Sequence, residues 1–583
     1  MEKAALIDLA RRWMEADPDP ETRAEALALI EADDEEALHG AFGARLKFGT
    51  AGLRGALGCG PNRMNQAHVR WVTAGLADYL LAQVPEATTK GVVIGFDARK
   101  GSTAFAEEAA AVLGGRGFRV YLFEMVVPTP LLSHAAARLG TAAGIMVTAS
   151  HNPPQDNGYK VYWSNAAQII PPHDGGISDA IEALGGPWAI TPGDVSALRA
   201  SGQVTSVPSE IVEGYLKEVQ ALRVYSGKTD LKVVYTAMHG VGGRWVQQVL
   251  EQAGYTDVHM VREQFEPDGS FPTVSFPNPE EDGAMDLSLA LAAEVKADLV
   301  LANDPDADRL AVGVPDGEGG YRALTGNQIG VLLADDLLTH GPKDKPRLVV
   351  TTVVSSTMLS RMAEHHGARY VETLTGFKWL ANEAIKHEGA GGRFVLGYEE
   401  ALGYSSGSVA RDKDGVSTAM LFCDLAARCA EQGISVLDRL EALYSQFGLH
   451  SSRQKSLVLP GDEGAAQIQQ MLSTLRADPP SILAGVPVLQ LRDLLTGEVS
   501  CPGNDEPPRP AAEPLPPSNV LAFDLEDGSQ VLVRPSGTEP KIKFYFEVRT
   551  PLGDEGWTPA LEEKAAARID ALEQEILQAA KAP

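Results

Sequence analysis

The sequence predicts an α/β protein: three related α/β domains with mixed, mainly parallel sheets, followed by a smaller C-terminal unit. Three observations predict it. Short Val/Ile-rich runs alternate with Ala- and Leu-rich helical stretches, the pattern of βαβ units. That strand–loop–helix opening starts three times, at Val92-Val93-Ile94, at Lys232-Val233-Val234-Tyr235 and at Leu348-Val349-Val350. The length, 583 residues, leaves room for four units at about 150 residues each.

The elements follow in order. Residues 1–40 read as a helical preface: Leu6, Leu9 and Trp13 recur at helical spacing, Asp17-Pro18-Asp19-Pro20 breaks the pattern, and a second helical stretch runs to about Leu38. Residues 41–210 form the first α/β domain, with strands at Val92-Val93-Ile94, Arg119-Val120-Tyr121-Leu122 and Ile145-Met146-Val147 and a helix over 104–113. Residues 211–326 and 327–455 repeat the texture. Residues 456–583 depart from it: seven prolines between Pro502 and Pro517 make a surface loop, since neither a helix nor a central strand tolerates them. The chain ends on a helix with Leu561, Ala565, Ile569, Leu572 and Ile576 in one apolar stripe, read as core packing.

Hydrophobic residues are 44% and charged residues 22% of the chain, a globular balance. Fifty Lys and Arg face 78 Asp and Glu, a formal charge of −28. That mean field repels nucleic acid and anionic membranes, and neither is expected as a partner. It leaves open a small anionic substrate met by a local cluster of cations. Cys59, Cys423, Cys429 and Cys501 are scattered without metal or disulfide spacing, which fits a reducing compartment. There is no apolar signal core and no run of the roughly 18–20 apolar residues a transmembrane helix needs, so the expected location is cytoplasmic.

Three stretches carry chemistry. Thr148-Ala149-Ser150-His151-Asn152-Pro153 follows the strand Ile145-Met146-Val147, where α/β folds place ligands. It lacks the G-x-S-x-G elbow of hydrolases, which leaves a plain turn or a phosphate-carrying serine. Asp304-Pro305-Asp306-Ala307-Asp308-Arg309 follows an apolar run. In extended chain its alternate carboxylates share one side and can converge on a hard divalent cation, whereas the EF-hand pattern fails at Arg309 and Pro315. The 534–541 loop, Arg534-Pro535-Ser536-Gly537-Thr538-Glu539-Pro540-Lys541, has the composition of an anion nest and of a turn between strands. Gly227-Lys228-Thr229 and Gly240-Val241-Gly242 are decoys: the first lacks the earlier glycine of a Walker loop, the second the third glycine of a dinucleotide loop. Two weaker stretches are Thr375-Gly376-Phe377-Lys378-Trp379 and Gly397-Tyr398-Glu399-Glu400-Ala401-Leu402-Gly403.

Taken together in chain order, from Gly49-Thr50-Ala51-Gly52-Leu53-Arg54-Gly55 to the 534–541 loop, these motifs resemble the α-D-phosphohexomutase superfamily, which includes phosphoglucomutases, phosphomannomutases and phosphopentomutases. The extension through Gln155-Asp156-Asn157-Gly158-Tyr159-Lys160-Val161-Tyr162-Trp163 looks most like the long phosphoglucomutase/phosphopentomutase branch. The resemblance implies three related α/β domains and a smaller α+β C-terminal domain around one central cleft. It implies Ser150 as the phosphoryl carrier, and Asp304, Asp306 and Asp308, with Ser150, as Mg²⁺ ligands. Arg54, His151, Lys160, Arg309 and Lys378 become the candidates for charge stabilisation and acid–base work, with the base among His151, Lys160 and Lys378 unranked. Thr375, Gly376, Glu399 and Glu400 become substrate contacts, and Arg534, Ser536, Gly537, Thr538 and Lys541 hold the non-reacting phosphate.

The expected activity is reversible interconversion of α-D-glucose 1-phosphate and glucose 6-phosphate through a phosphoserine and a bisphosphorylated sugar. Glucose 1,6-bisphosphate is the implied activator, a small phosphosugar the substrate, and a monomer or homodimer the assembly. Pentose and mannose phosphates are the alternatives, because Ala401 stands where many glucose- and mannose-handling relatives carry a serine. Two rival readings stand beside it: an Mg²⁺-dependent sugar phosphatase with Asp304 as nucleophile, and a silent sugar-phosphate binding protein.

Overall fold

The runs Val92–Phe96 and Ala143–Val147 carry no charge, and both strands are buried throughout. Strands of that kind pair in parallel and are covered on both faces by helices. The computed structural model, which describes residues 1–48, 52–459, 461–504, 506–536, 541–552 and 556–581, has them at the centre of a six-stranded sheet. Its order is Gly52–Ala56, Asp156–Tyr162, Ala143–Val147, Val92–Phe96, Val120–Leu122, Val204–Ser206. The last four are mutually parallel, and Asp156–Tyr162 and Gly52–Ala56 add antiparallel.

The same plan recurs twice. A five-stranded sheet has Val233–Thr236 between Val258–Met260 and Leu299–Ala302, all parallel, with Ala311–Pro315 and Tyr321–Ala323 antiparallel at one edge. A four-stranded sheet has Arg347–Thr352 between Arg369–Thr373 and Arg393–Glu399, parallel to both, and Gly403–Ser405 antiparallel. The fourth sheet is antiparallel, runs from Leu449–Val458 through Lys541–Thr550 and packs against the helix Pro559–Ala580. The architecture is therefore four α/β units with three mixed sheets and one antiparallel sheet, and the terminal helix buries Ala565, Ile569, Leu572 and Ile576 as its stripe predicts.

Two details differ from the sequence reading. The N-terminal preface has three helices, Lys3–Ala16, Pro20–Glu31 and Glu35–Phe42, where two were expected. Asp33 adopts φ 55°, and the Asp34 carboxylate accepts the N–H of Ala37, which ends one helix and caps the next. Leu6, Trp13, Leu38 and Phe42 give these helices a small core of their own. The proline-rich stretch is not wholly loop either: Arg509–Pro510 pairs with Glu498–Ser500 at the sheet's end, where proline is tolerated. All four cysteines are free, and among the described residues no helix is long and apolar enough to cross a membrane.

Candidate active site

Parallel strands leave their ligand-facing loops at their carboxyl ends, and three such ends meet here. Ser150 lies three residues past Ala143–Val147, Asp304 two past Leu299–Ala302, and Glu399 closes Arg393–Glu399. Ser150 is buried and holds φ 53°, a left-handed backbone that costs a side-chain-bearing residue about 1–2 kcal/mol. Its N–H donates to Thr148 Oγ1 at 2.9 Å, its hydroxyl donates to Asp304 Oδ2 at 2.9 Å, and His151 Nδ1 lies 3.3 Å from the same hydroxyl. Thus residues 154 positions apart, from two sheets, form one centre.

Asp304, Asp306 and Asp308 are all buried, and oxygens from the three lie within 4.8 Å of one another. Each has a different neighbour. Asp304 Oδ1 accepts the N–H of Arg309. Asp306 Oδ2 accepts from Thr129 Oγ1 and Lys160 Nζ, both at 2.7 Å. Asp308 Oδ2 faces Lys160 Nζ at 3.2 Å and Lys413 Nζ at 3.3 Å. Among the described residues, Asp306 Oδ1 and Asp308 Oδ1 are left buried with no hydrogen-bond partner. Burial and the charges of Asp306 and Asp308 push the Asp304 carboxyl well above the carboxylate range. For Asp306, burial works in the same direction but Lys160 and Thr129 outweigh it and hold the group ionised. Two orphaned anionic oxygens in an oxygen-only cluster fit a hard divalent cation, which would satisfy both.

The lysines differ sharply. Burial alone would neutralise Lys160, but Asp306 and Asp308 outweigh it and raise its affinity for the proton; Lys413 is held charged in the same way by Asp308 and Asp412. Lys378, in the first turn of Phe377–Gly389, is lowered to about 8 by burial. His151 is pushed well down by burial and by the charges of Arg309 and Arg54, which keeps it neutral.

A cleft of about 960 Å³ opens above this centre, with walls from all four sheets' units: Arg54 and His151, Glu280 and Arg309, Glu400 and Ala401, Lys541 and Lys543. Glu399 does not line it. Its Oε1 accepts the Gly376 N–H at 2.8 Å and so ties the 397–403 stretch to the start of the Lys378 helix. Glu400 is the cleft-facing carboxyl; burial and the Glu399 charge raise it to about 7, and Ser355 Oγ donates to it at 3.2 Å. Thr375 is half-buried, with a hydroxyl that finds no partner among the described residues. Arg534 pairs with the cleft-lining Lys543 near the end of the strand Gln530–Pro535 and Ser536 follows that strand, while Gly537 and Thr538 lie outside the described residues, as do Gly49, Thr50 and Ala51.

Sequence reasoning missed Lys413, Thr129, Glu280, Lys543 and Arg99. Lys413 stands in Arg411-Asp412-Lys413-Asp414-Gly415, an alternation of charges before a helix that was a readable signal. Arg99 follows the strand Val92–Phe96 at its carboxyl end and donates to four carbonyls of the Ser150 loop.

Comparison with known families turns this geometry into a class. Four family models match in chain order: phosphoglucomutase/phosphomannomutase alpha/beta/alpha domain I over residues 45–185, domain II over 213–317, domain III over 325–447 and the C-terminal domain over 488–552. The chain belongs to the phosphoglucomutase/phosphomannomutase family. Within that family it is 37% identical to a phosphopentomutase of Homo sapiens over 600 residues, covering 100% of this chain and 97% of the relative. It is 36% identical to a phosphoglucomutase of Staphylococcus aureus over 515 residues, 88% of this chain and 91% of the relative. The fold matches a phosphoglucomutase/phosphomannomutase family protein of Burkholderia thailandensis with a TM-score of 0.66 at 21% identity, over 92% of this chain and 98% of that one. The protein is accordingly a phosphohexomutase-type mutase, an isomerase that moves a phosphoryl group within one sugar phosphate.

Proposed function

We propose that this mutase interconverts pentose 1-phosphates and 5-phosphates, ribose and deoxyribose first, through phospho-Ser150 and a bisphosphorylated sugar. The observation that carries the phosphoryl role is the 2.9 Å contact from Ser150 Oγ to Asp304 beneath a cation-walled cleft. The pentose is favoured because the human phosphopentomutase aligns over the full chain and because Ala401, lining the cleft, offers no hydroxyl to a longer sugar. Glucose phosphate, the sugar the sequence motifs first point to, is the second reading, favoured by the Staphylococcus aureus relative.

In the forward half-reaction the P–Oγ bond of phospho-Ser150 breaks, a P–O bond to the free sugar hydroxyl forms, and the hydroxyl proton passes to a base. Lys378 suits that role, since burial brings it to about 8, near working pH, while Lys160 and Lys413 are held protonated by carboxylates. The bisphosphate then turns over and returns its other phosphoryl group to Ser150. Arg54, Arg309, Lys160 and Lys413 supply positive charge to a reaction that needs positioning and neutralisation more than covalent help. Arg534, Ser536, Gly537, Thr538 and Lys541 take the phosphate that is not reacting; Glu400, with Thr375 and Gly376, meets the sugar. A divalent cation, Mg²⁺ by its preference for hard oxygens, would be held by Asp304, Asp306, Asp308 and an oxygen on Ser150 and would neutralise charge on the transferring group. On this reading the working units are 41–210, 211–326, 327–455 and 456–583, with a helical preface over 1–40, in the cytoplasm.

The deciding experiment measures kcat/KM for ribose 1-phosphate and glucose 1-phosphate with glucose 1,6-bisphosphate present as primer. The pentose is expected to win by at least about tenfold; equal or reversed values replace it with the hexose. Ser150→Ala is expected to abolish turnover of both, and an aspartyl phosphate on Asp304 with Ser150 unmodified would sink the mutase mechanism in favour of a phosphatase.

A further inference from the structure

A left-handed serine at the nucleophile's position persists only if its surroundings over-determine it. The Ser150 side chain and N–H supply two constraints, but the carbonyl, which fixes the following peptide, is held by a group outside the motif. Arg99 is 3% exposed, and its guanidinium donates from Nη2 to Ser150 O and Asn152 O, both at 2.6 Å, and from Nη1 to Pro153 O at 2.8 Å and Asp156 O at 3.1 Å. Its Nε lies 3.3 Å from Asp97 Oδ2, and Asp97 Oδ1 is in turn fixed by Ser102 Oγ at 2.6 Å. The planar fork is thus fully oriented before substrate arrives.

The cover over Arg99 comes from a different unit. The Phe271 ring lies 4.9 Å from the guanidinium carbon, and Phe271, itself buried, holds φ 48°. Gly269 sits so close that a Cβ there would lie 2.4 Å from Ala98 O and 2.6 Å from Arg99 Cα. The segment bearing Gly269 and Phe271 belongs to the same unit as the Asp304 loop. The two halves of the phosphoryl-transfer centre are therefore joined in front of the loop, at Ser150 Oγ–Asp304 and where Thr129 and Lys160 meet the acidic triad, and also behind it, at Arg99–Phe271.

We infer that Arg99 is a positioning residue for phosphoryl transfer: it locks the 150–156 loop so that the phosphoryl group on Ser150 faces the sugar hydroxyl and not water. The inference rests on the reading of Ser150 as phosphoryl carrier. It touches no reacting atom and acts only through the carbonyls it holds. A loosened loop misaligns the transfer, which costs about 100-fold in rate for a displacement near 1 Å, and admits water to the phosphoserine.

The test compares Arg99→Lys, Arg99→Met and Phe271→Leu with the natural chain, using enzyme phosphorylated by glucose 1,6-bisphosphate. Phosphate on Ser150 is first confirmed by peptide mass spectrometry in the natural chain; its absence there overturns the carrier reading and with it this inference. With it present, two rates are read on folded protein: sugar-phosphate turnover, and loss of phosphate from Ser150 without sugar. Arg99→Lys is expected to lower kcat by about 100-fold with KM within about threefold, and to speed phosphoserine hydrolysis about tenfold. Lysine keeps the charge but cannot span four carbonyls, so failure of the conservative variant to rescue is part of the expectation. A purely structural role would lower the yield of folded protein and leave the ratio of transfer to hydrolysis where it was; that unchanged ratio overturns the inference. If neither Arg99 variant folds, Phe271→Leu decides by the same ratio, a shift of about threefold or more in favour of hydrolysis supporting the lock and an unchanged ratio overturning it.

Discussion

Lys160, Lys378 and Lys413 carry the same side chain and end in different electrical states. Lys160 and Lys413 are buried against carboxylates, so attraction beats desolvation and both keep their protons. Lys378 is buried too, and there desolvation outweighs the attraction of Asp174, so its affinity for the proton falls. Motif spacing left Lys160 and Lys378, with His151, unranked and passed over Lys413, because the deciding partners, Asp306 and Asp308, stand 146 and 148 positions from Lys160. With Lys378 as the proposed base, the sign of the pH dependence follows: it must be neutral to act, so kcat/KM should rise as pH climbs through about 8 and level off above it. Lys378→Arg, which cannot lose its proton in that range, should flatten this limb and lower kcat about 100-fold or more, as a pH–rate series on both proteins would reveal. A limb that survives the substitution would move the base elsewhere.

At the scale of elements, the strands and helices were legible because each carries its own period. Val92–Phe96, Arg347–Thr352 and Pro559–Ala580 fall within a few residues of their sequence outlines. The third helix of the preface was not, since it depends on one left-handed aspartate and one capping carboxylate. Close approach between elements was also invisible. Gly75 on Gln66–Gln83 meets the helix His173–Ala183 so tightly that a Cβ would lie 2.4 Å from Ile181 Cγ1 and 2.7 Å from its backbone N and Cα. Gly75→Ala gains about 1 kcal/mol of helix propensity but overpacks against backbone that cannot yield, at about 1–3 kcal/mol. The expected outcome in a thermal melt is a Tm lower by a few degrees, with KM and kcat unchanged; a raised Tm would mean the helices part freely.

At the scale of the whole molecule, the antiparallel C-terminal sheet is joined to the third unit by a buried carboxylate. Glu547 accepts the Thr357 N–H at 3.0 Å and the Thr357 hydroxyl, and faces His450 Nδ1 at 3.1 Å. Burial opposes its ionisation, but these donors outweigh it and hold its carboxyl below the usual glutamate range. A depressed folded-state pKa gives stability that is complete above the unfolded value, about 4.5, and is lost as pH falls through the folded one. Glu547→Gln should therefore lose about 1–3 kcal/mol at neutral pH and show a shallower loss of stability below about pH 4.5, measurable by urea unfolding at several pH values. Parallel curves for the two proteins would remove Glu547 from the seam. The net charge of −28 belongs to this scale too: it describes the outer surface, while Arg54, Arg309, Lys541 and Lys543 line the cleft.

By itself the sequence determined the fold class, the serine loop and the acidic triad, because each is written in local spacing: buried runs alternating with helices, a serine past a strand, carboxylates at every second residue. The tertiary structure alone decided which groups the triad shares, that Glu399 binds Gly376 while Glu400 faces the cleft, and that Arg99 holds the Ser150 loop. Those outcomes turn on burial and on hydrogen bonds between residues from 23 to more than 150 positions apart. Both quantities exist only once the chain has folded.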